Sequence, residues 1–75
     1  MDILASITEI EQREKGEIPV GFLYASIKNV GDTPCLVNDV TLAPGEAKGY
    51  PFVGKPYKAI TYDPKDTTLR ILYVL

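Results

Sequence analysis

The sequence predicts an all-β fold: a compact antiparallel β-sandwich or flattened barrel of six to seven short strands, immunoglobulin-like in character. Three observations predict it. Glycine and proline, six of each in 75 residues, recur at short intervals that leave little room for helices. The runs between them are rich in Val, Ile, Thr and Tyr and alternate with a period of two. Several of the interruptions carry specific turn chemistry, notably Asn38-Asp39, Ala43-Pro44-Gly45-Glu46 and Asp63-Pro64-Lys65-Asp66.

The elements follow in order. Residues 3–17 fit two readings. Ile3, Leu4, Ile7 and Ile10 form a helical stripe with Asp2 as N-cap and Gly16 as its stop. A strand through residues 5–12 fits as well, and the β character downstream favours it, because strands need partners; Lys15-Gly16 would then be a loop. Residues 20–29 read as a strand, with Leu23, Ala25 and Ile27 on one face and Phe22, Tyr24, Ser26 and Lys28 on the other. Val30 to Pro34 is a turn. Cys35-Leu36-Val37 and Val40-Thr41-Leu42 form a hairpin across Asn38-Asp39. Ala43 to Glu46 turns again, and Ala47 to Phe52 is a weak or edge strand, since Gly49 and Pro51 interrupt it. Tyr57 to Tyr62 is a strand, Asp63 to Asp66 suits a type I turn, and Thr67 to Leu75 is the last strand.

That last strand is apolar on both faces. Leu69, Ile71, Tyr73 and Leu75 share one side; Leu72 and Val74 share the other with Arg70. Two apolar faces imply cover on both sides. Either the N-terminal segment or another copy of the chain supplies the second cover.

Size and composition set further bounds. The chain, residues 1–75, is one domain. Such a domain buries only about 60–65% of the surface its unfolded chain exposes, so its core is thin. Hydrophobic residues make up 45% and charged residues 24%, as in an ordinary globular protein. The N-terminus lacks a basic region followed by a long apolar run, so no signal peptide and no membrane partner are expected. Charge is uneven. Asp2, Glu9, Glu11, Glu14 and Glu17 outweigh Arg13 and Lys15, whereas Lys48, Lys55, Lys58, Lys65 and Arg70 outweigh Asp63 and Asp66. A mixed solvated surface accounts for this; the sharper reading is head-to-tail complementarity between copies. A pI near 4.9 disfavours nucleic acid.

Chemistry is poorly provided for. The chain has no histidine, which removes the usual general base near neutral pH, the common nucleophilic triads and most zinc sites. The single cysteine, Cys35, reads as a small buried hydrophobe. Gly49-Tyr50-Pro51-Phe52-Val53-Gly54-Lys55 matches the opening of a phosphate-binding loop. Pro56, however, stands where a hydroxyl residue should hold magnesium, and a strand-like segment follows instead of a helix. Asp63 and Asp66 lack the alternating ligands of a calcium loop. No catalytic residue, cofactor, metal or small-molecule substrate is expected. Five tyrosines and two phenylalanines suit a sheet core and interfaces. Tyr50 and Tyr57, flanking the 51–56 loop, are the expected exposed interface aromatics. With them, Phe52, Arg70, Leu72 and Val74 make up the expected interface.

Two resemblances follow. Asn29-Val30-Gly31-Asp32, followed by Val40-Thr41-Leu42-Ala43-Pro44-Gly45-Glu46, resembles a recurrent element of immunoglobulin-like sandwich modules. The longer pattern runs from Ile18-Pro19-Val20-Gly21-Phe22 through Leu42–Glu46 to Tyr57–Asp63 and Thr67–Ile71. It resembles small β-structured virion accessory proteins of tailed bacteriophages, of the kind that decorate heads or attach to tails and fibres. That resemblance implies a non-enzymatic structural protein present in repeated copies. Its partners would be itself, as a homo-oligomer, and other virion proteins, after assembly in the host bacterial cytoplasm. The alternative is an independent immunoglobulin-like binding module for a protein or carbohydrate ligand.

Overall fold

The computed structural model describes residues 4–75. Eight strands follow one another: β1 (Ile7–Gln12), β2 (Gly16–Ile18), β3 (Tyr24–Asn29), β4 (Cys35–Val37), β5 (Val40–Leu42), β6 (Ala47–Tyr50), β7 (Ile60–Asp63) and β8 (Leu69–Val74). They form two four-stranded antiparallel sheets packed together. Sheet I has the order β1-β8-β3-β6 and sheet II the order β2-β7-β4-β5. The sandwich is therefore as the sequence predicts. The N-terminal segment resolves as strand, its Asp2 and Ile3 lying outside the described residues.

The two orders are the same order. β1 runs into β2, β8 is entered from β7, β3 runs into β4, and β5 runs into β6. Each long strand thus crosses from one sheet to the other through a bend, which is how corners of such sandwiches are made. The bends explain why the strand count is eight and not six or seven. They fall at residues 13–15, 30–34, 43–46 and 64–68, where charged residues, glycines and prolines interrupt the ladders. The pairing order also differs from the ABED and CFG sheets of immunoglobulin domains.

Several local details sharpen the sequence reading. Asn38 and Asp39 sit at φ 52° and 63°, the two positive values a type I′ hairpin demands. Gly45 sits at φ 82° with the Glu46 amide donating to the Ala43 carbonyl, so Pro44-Gly45 turn as expected. Four readings need correction, the first being the strand expected from Tyr57, which begins only at Ile60 and runs through Asp63. Gly16, expected in a loop with Lys15, instead opens the strand Gly16–Ile18 paired to β7. β3 begins only at Tyr24, because Gly21, at φ 101°, breaks the extended chain before it. Phe22 therefore points into the core and is fully buried instead of sharing the outer face with Tyr24. Finally, Lys65 sits at φ 60°, which the third position of a type I turn does not allow. The closing bond runs from the Thr67 amide to the Pro64 carbonyl, with Asp63 Oδ1 accepting from the Lys65 amide.

The core is one cluster fed by both sheets. Ala25, Ile27, Leu69 and Ile71 come from sheet I, and Ile18, Cys35, Val37, Leu42, Ile60 and Tyr62 from sheet II. Asn29 is fully buried among them and ties the corners together. Its Nδ2 donates to the carbonyls of Thr33 (2.8 Å) and Leu42 (3.1 Å). Its Oδ1 accepts from the Gly31 amide (3.1 Å) and from Thr67 Oγ1 (2.7 Å). The Asn-x-Gly element singled out in the sequence is thus a structural joint. Glycine is needed beside it, because a Cβ on Gly31 would stand 1.9 Å from Thr67 Oγ1 and 3.0 Å from the Thr68 amide nitrogen.

Candidate functional site

β8 occupies an inner position of sheet I, between β1 and β3. Alternation sends Leu69, Ile71 and Tyr73 to the core and Arg70, Leu72 and Val74 to the outer face. The registers build that outer face in rows. Val74 lies between Ile7 and Tyr24, Leu72 between Glu9 and Ser26, and Arg70 between Glu11 and Lys28. One end of the face is thus apolar and the other charged. Ile7 is 66% exposed and Tyr24 40%, while Leu72 and Val74 are half-buried beside them.

From Leu4 onward the N-terminal segment lies beside β8 as β1 and not over it, so it adds Ile7, Glu9 and Glu11 to the outer face without covering it. Among the described residues, nothing packs on that face.

At the charged end, Arg70 Nη2 and Nε donate to Glu11 Oε2 at 3.0 and 3.3 Å. Both side chains are more than half exposed, so the pair contributes at most about 1 kcal/mol. It also shows that the acidic N-terminal and basic C-terminal segments meet within one copy. Glu9, Ile10, Glu11 and Arg70 line a shallow groove there of about 220 Å³.

The remaining expected interface residues lie elsewhere. Tyr57 stacks on Phe22 with ring centroids 4.7 Å apart and planes 5° from parallel, and Tyr50 meets both rings edge-on. Tyr50 and Tyr57 are half-buried against the core, so the expectation that they present exposed rings is corrected. The cause is Phe22, whose inward turn at Gly21 gives both rings an apolar surface. The Tyr57 hydroxyl donates to the Pro51 carbonyl at 2.7 Å and holds the loop closed. Phe52 is the exposed aromatic of that loop, at 63%. The structure brings Arg70, Leu72 and Val74 together on one face, with Phe52 on the 51–59 connection. Sequence reasoning missed Ile7 and Tyr24 as companions of Leu72 and Val74. Alternation along β8 was readable, but the neighbours of β8 follow from register, which turn chemistry alone does not fix.

The segment matching a phosphate-binding loop runs from β6 into irregular chain, and there is no helix among the described residues. Among the described residues, no helix is long and apolar enough to cross a membrane. Among the described residues, no group of three or more acids or cysteines could hold a metal ion. Burial pushes the Cys35 thiol upward in pKa, with nearby Asp63 adding to the shift; the thiol donates to the Leu42 carbonyl at 3.6 Å. That is the setting of an inert core thiol, not an activated nucleophile. A second groove of about 340 Å³ crosses the outer side of sheet II, lined by Lys15, Glu17, Leu36, Asp39, Thr61 and Asp63 among others. No family model, curated protein or solved structure matches this chain.

Proposed function

We propose that this chain is a non-enzymatic assembly protein that associates with copies of itself and docks on a larger assembly through the outer face of sheet I. One observation carries the reading: among the described residues of a single copy, nothing covers Leu72 and Val74, on an inner strand, together with Ile7 and Tyr24. Contiguous apolar surface rimmed by charge marks protein interfaces. Glu9, Glu11, Arg70 and Lys28 supply the rim, which sets orientation more than affinity. The resemblance to virion accessory proteins of tailed bacteriophages agrees in kind, since those proteins act as repeated copies on a larger particle.

The test is the mass in solution. Light scattering on the eluting protein should give a mass above the 8.3 kDa of one chain, rising with concentration. The paired substitution Leu72→Glu with Val74→Lys should return it to a monomer with an unchanged fold, because both side chains face outward. A wild-type protein that stays monomeric at its highest soluble concentration sinks self-association.

The groove over sheet II favours a second reading, a monomeric binding module for a protein or carbohydrate. Thr61, Asp63, Asp39 and Glu17 offer hydroxyl and carboxylate groups suited to sugar hydroxyls. A glycan array without hits removes the carbohydrate version.

A further inference from the structure

The two edges of sheet I, β1 and β6, match each other in pleat, direction and charge. We infer that copies of this chain join head to tail, β6 of one copy adding to β1 of the next and continuing sheet I. The inference deepens the self-association proposed above and rests on it.

Hydrogen-bond parity comes first. Ser6 and Leu75 exchange reciprocal backbone bonds at 3.2 and 2.9 Å, in register with the β1–β8 ladder. Antiparallel alternation then assigns Thr8, Ile10 and Gln12 to β8 and turns the peptide groups of Ile7, Glu9 and Glu11 to the open side. On the opposite edge the Asn29 amide donates to the Glu46 carbonyl at 2.9 Å. The same alternation commits Lys48 and Tyr50 to β3 and leaves Ala47 and Gly49 facing outward. Each edge thus offers residues whose side chains point to the outer face of the sheet, so the pleats match.

Direction comes second. β1 and β3 run one way, β8 and β6 the other. A neighbouring copy in the same orientation therefore brings its β1 antiparallel to β6 without any flip. Because both sheets share one order, β2 of that neighbour follows along β5 in the second layer.

Charge comes third, and selects register and partner. Glu9 and Lys28 are exposed, on the outer face, and in no ion pair among the described residues. Pairing Ala47 with Glu9 of the next copy, and Gly49 with its Ile7, puts that Glu9 in the row of Lys28. Lys28 and Ala47 are paired neighbours, so the two charges start about 10 Å apart at the backbone, two strand spacings. Two long side chains close that distance over a small alanine. The same register lays the exposed Ile7 over Gly49. Pairing β1 with a second β1 about Glu9 would instead oppose like charges, which is destabilising. A head-to-tail contact does not close on itself, so it makes rings or filaments.

The experiment uses proline on each edge, at positions whose amide points to solvent within one copy and so tolerates the loss. Glu9→Pro damages only the β1 edge and Ala47→Pro only the β6 edge. With far-UV circular dichroism confirming the fold, each variant should be monomeric alone, and an equimolar mixture should give a discrete heterodimer by light scattering. Charge reversal supplies an arm that does not depend on proline. Glu9→Lys or Lys28→Glu should each weaken assembly by roughly threefold to tenfold, and the double reversal should restore it. Proline variants that still assemble, or a mixture that stays monomeric, overturn edge pairing; loss of assembly in the Leu72 and Val74 variant would then leave the face reading standing. Proline variants that behave as expected beside a Leu72 and Val74 variant that still assembles would support edge pairing and remove the face reading. A monomeric wild type at every concentration overturns both.

Discussion

Asn29 uses every hydrogen-bonding group its side chain has. Two N–H groups and two acceptor positions meet four partners, three of them in two different bends and the fourth at the end of β5. Replacing it by leucine keeps the volume but takes the side-chain partner from the Thr67 hydroxyl, the Gly31 amide and the Thr33 carbonyl, and leaves the Leu42 carbonyl with the weak Cys35 thiol donor. Each unmet buried group costs roughly 1–3 kcal/mol, so Asn29→Leu should lose about 3 kcal/mol or more. In a domain whose whole stability is of order 5 kcal/mol that approaches unfolding. Urea denaturation measures it; a loss below about 1 kcal/mol would mean that water replaces the network. Cys35 gives a second check at this scale. It is 2% exposed and its thiol is held neutral by burial. Labelling by a thiol reagent at pH 8 should be slow in the native protein and immediate in denaturant, because the thiolate is the reacting species. Fast native labelling would show that the β4–β5 hairpin opens readily.

Hairpins and edges are where the sequence was most legible, because local chemistry decides them. β4, Asn38-Asp39 and β5 were readable residue for residue, since two residues with positive φ between apolar triplets admit few other conformations. Asp39 nevertheless holds φ 63° with a side chain, which costs an L-residue about 1 kcal/mol or more. Asp39→Gly removes that strain but loosens the unfolded chain. The net expectation is a gain of about 0.5 kcal/mol, or a few degrees in Tm. Asp39→Val should move Tm the other way and further, since a β-branched residue fits this region worst. Thermal melts of both variants that shift in the same direction would contradict the type I′ assignment. The pairing of these elements was less legible. That β8 lies between β1 and β3, bringing Ile7 and Tyr24 to Val74, depends on register across more than forty residues of chain. No turn specifies it; the buried faces of β3 and β8 do, through Ile27 opposite Ile71. Phe22 was misplaced for a related reason. Alternation assumes an unbroken strand, and Gly21 breaks it one residue earlier, which also carries Tyr50 and Tyr57 inward.

For the molecule as a whole, pH acts on stability through the core and not through the surface. The two ion pairs among the described residues, Arg70–Glu11 and Lys65–Asp63, have side chains at least 37% exposed, and pairs of that kind contribute little. Two groups inside the sandwich behave differently. Burial raises the pKa of the Cys35 thiol above its ordinary value near 9, Asp63 adding to the shift. Burial likewise raises the Tyr62 phenol above its ordinary value near 10, with Tyr73 adding to it. Both groups are neutral when protonated, so the native state holds protons that the unfolded chain releases earlier. In the interval above those ordinary values the native state carries more protons than the unfolded one, and stability falls as pH rises. The contribution is fully present below about pH 9 and is lost as pH climbs through the native values. Urea midpoints measured from pH 7 upward should therefore stay level to about pH 9 and then decline. Cys35→Val, which keeps an apolar side chain at that site, should delay the onset, and Tyr62→Phe should flatten the part of the decline above about pH 10. A decline that begins below pH 8, or one that both substitutions leave unchanged, would place the alkali-sensitive groups outside this core.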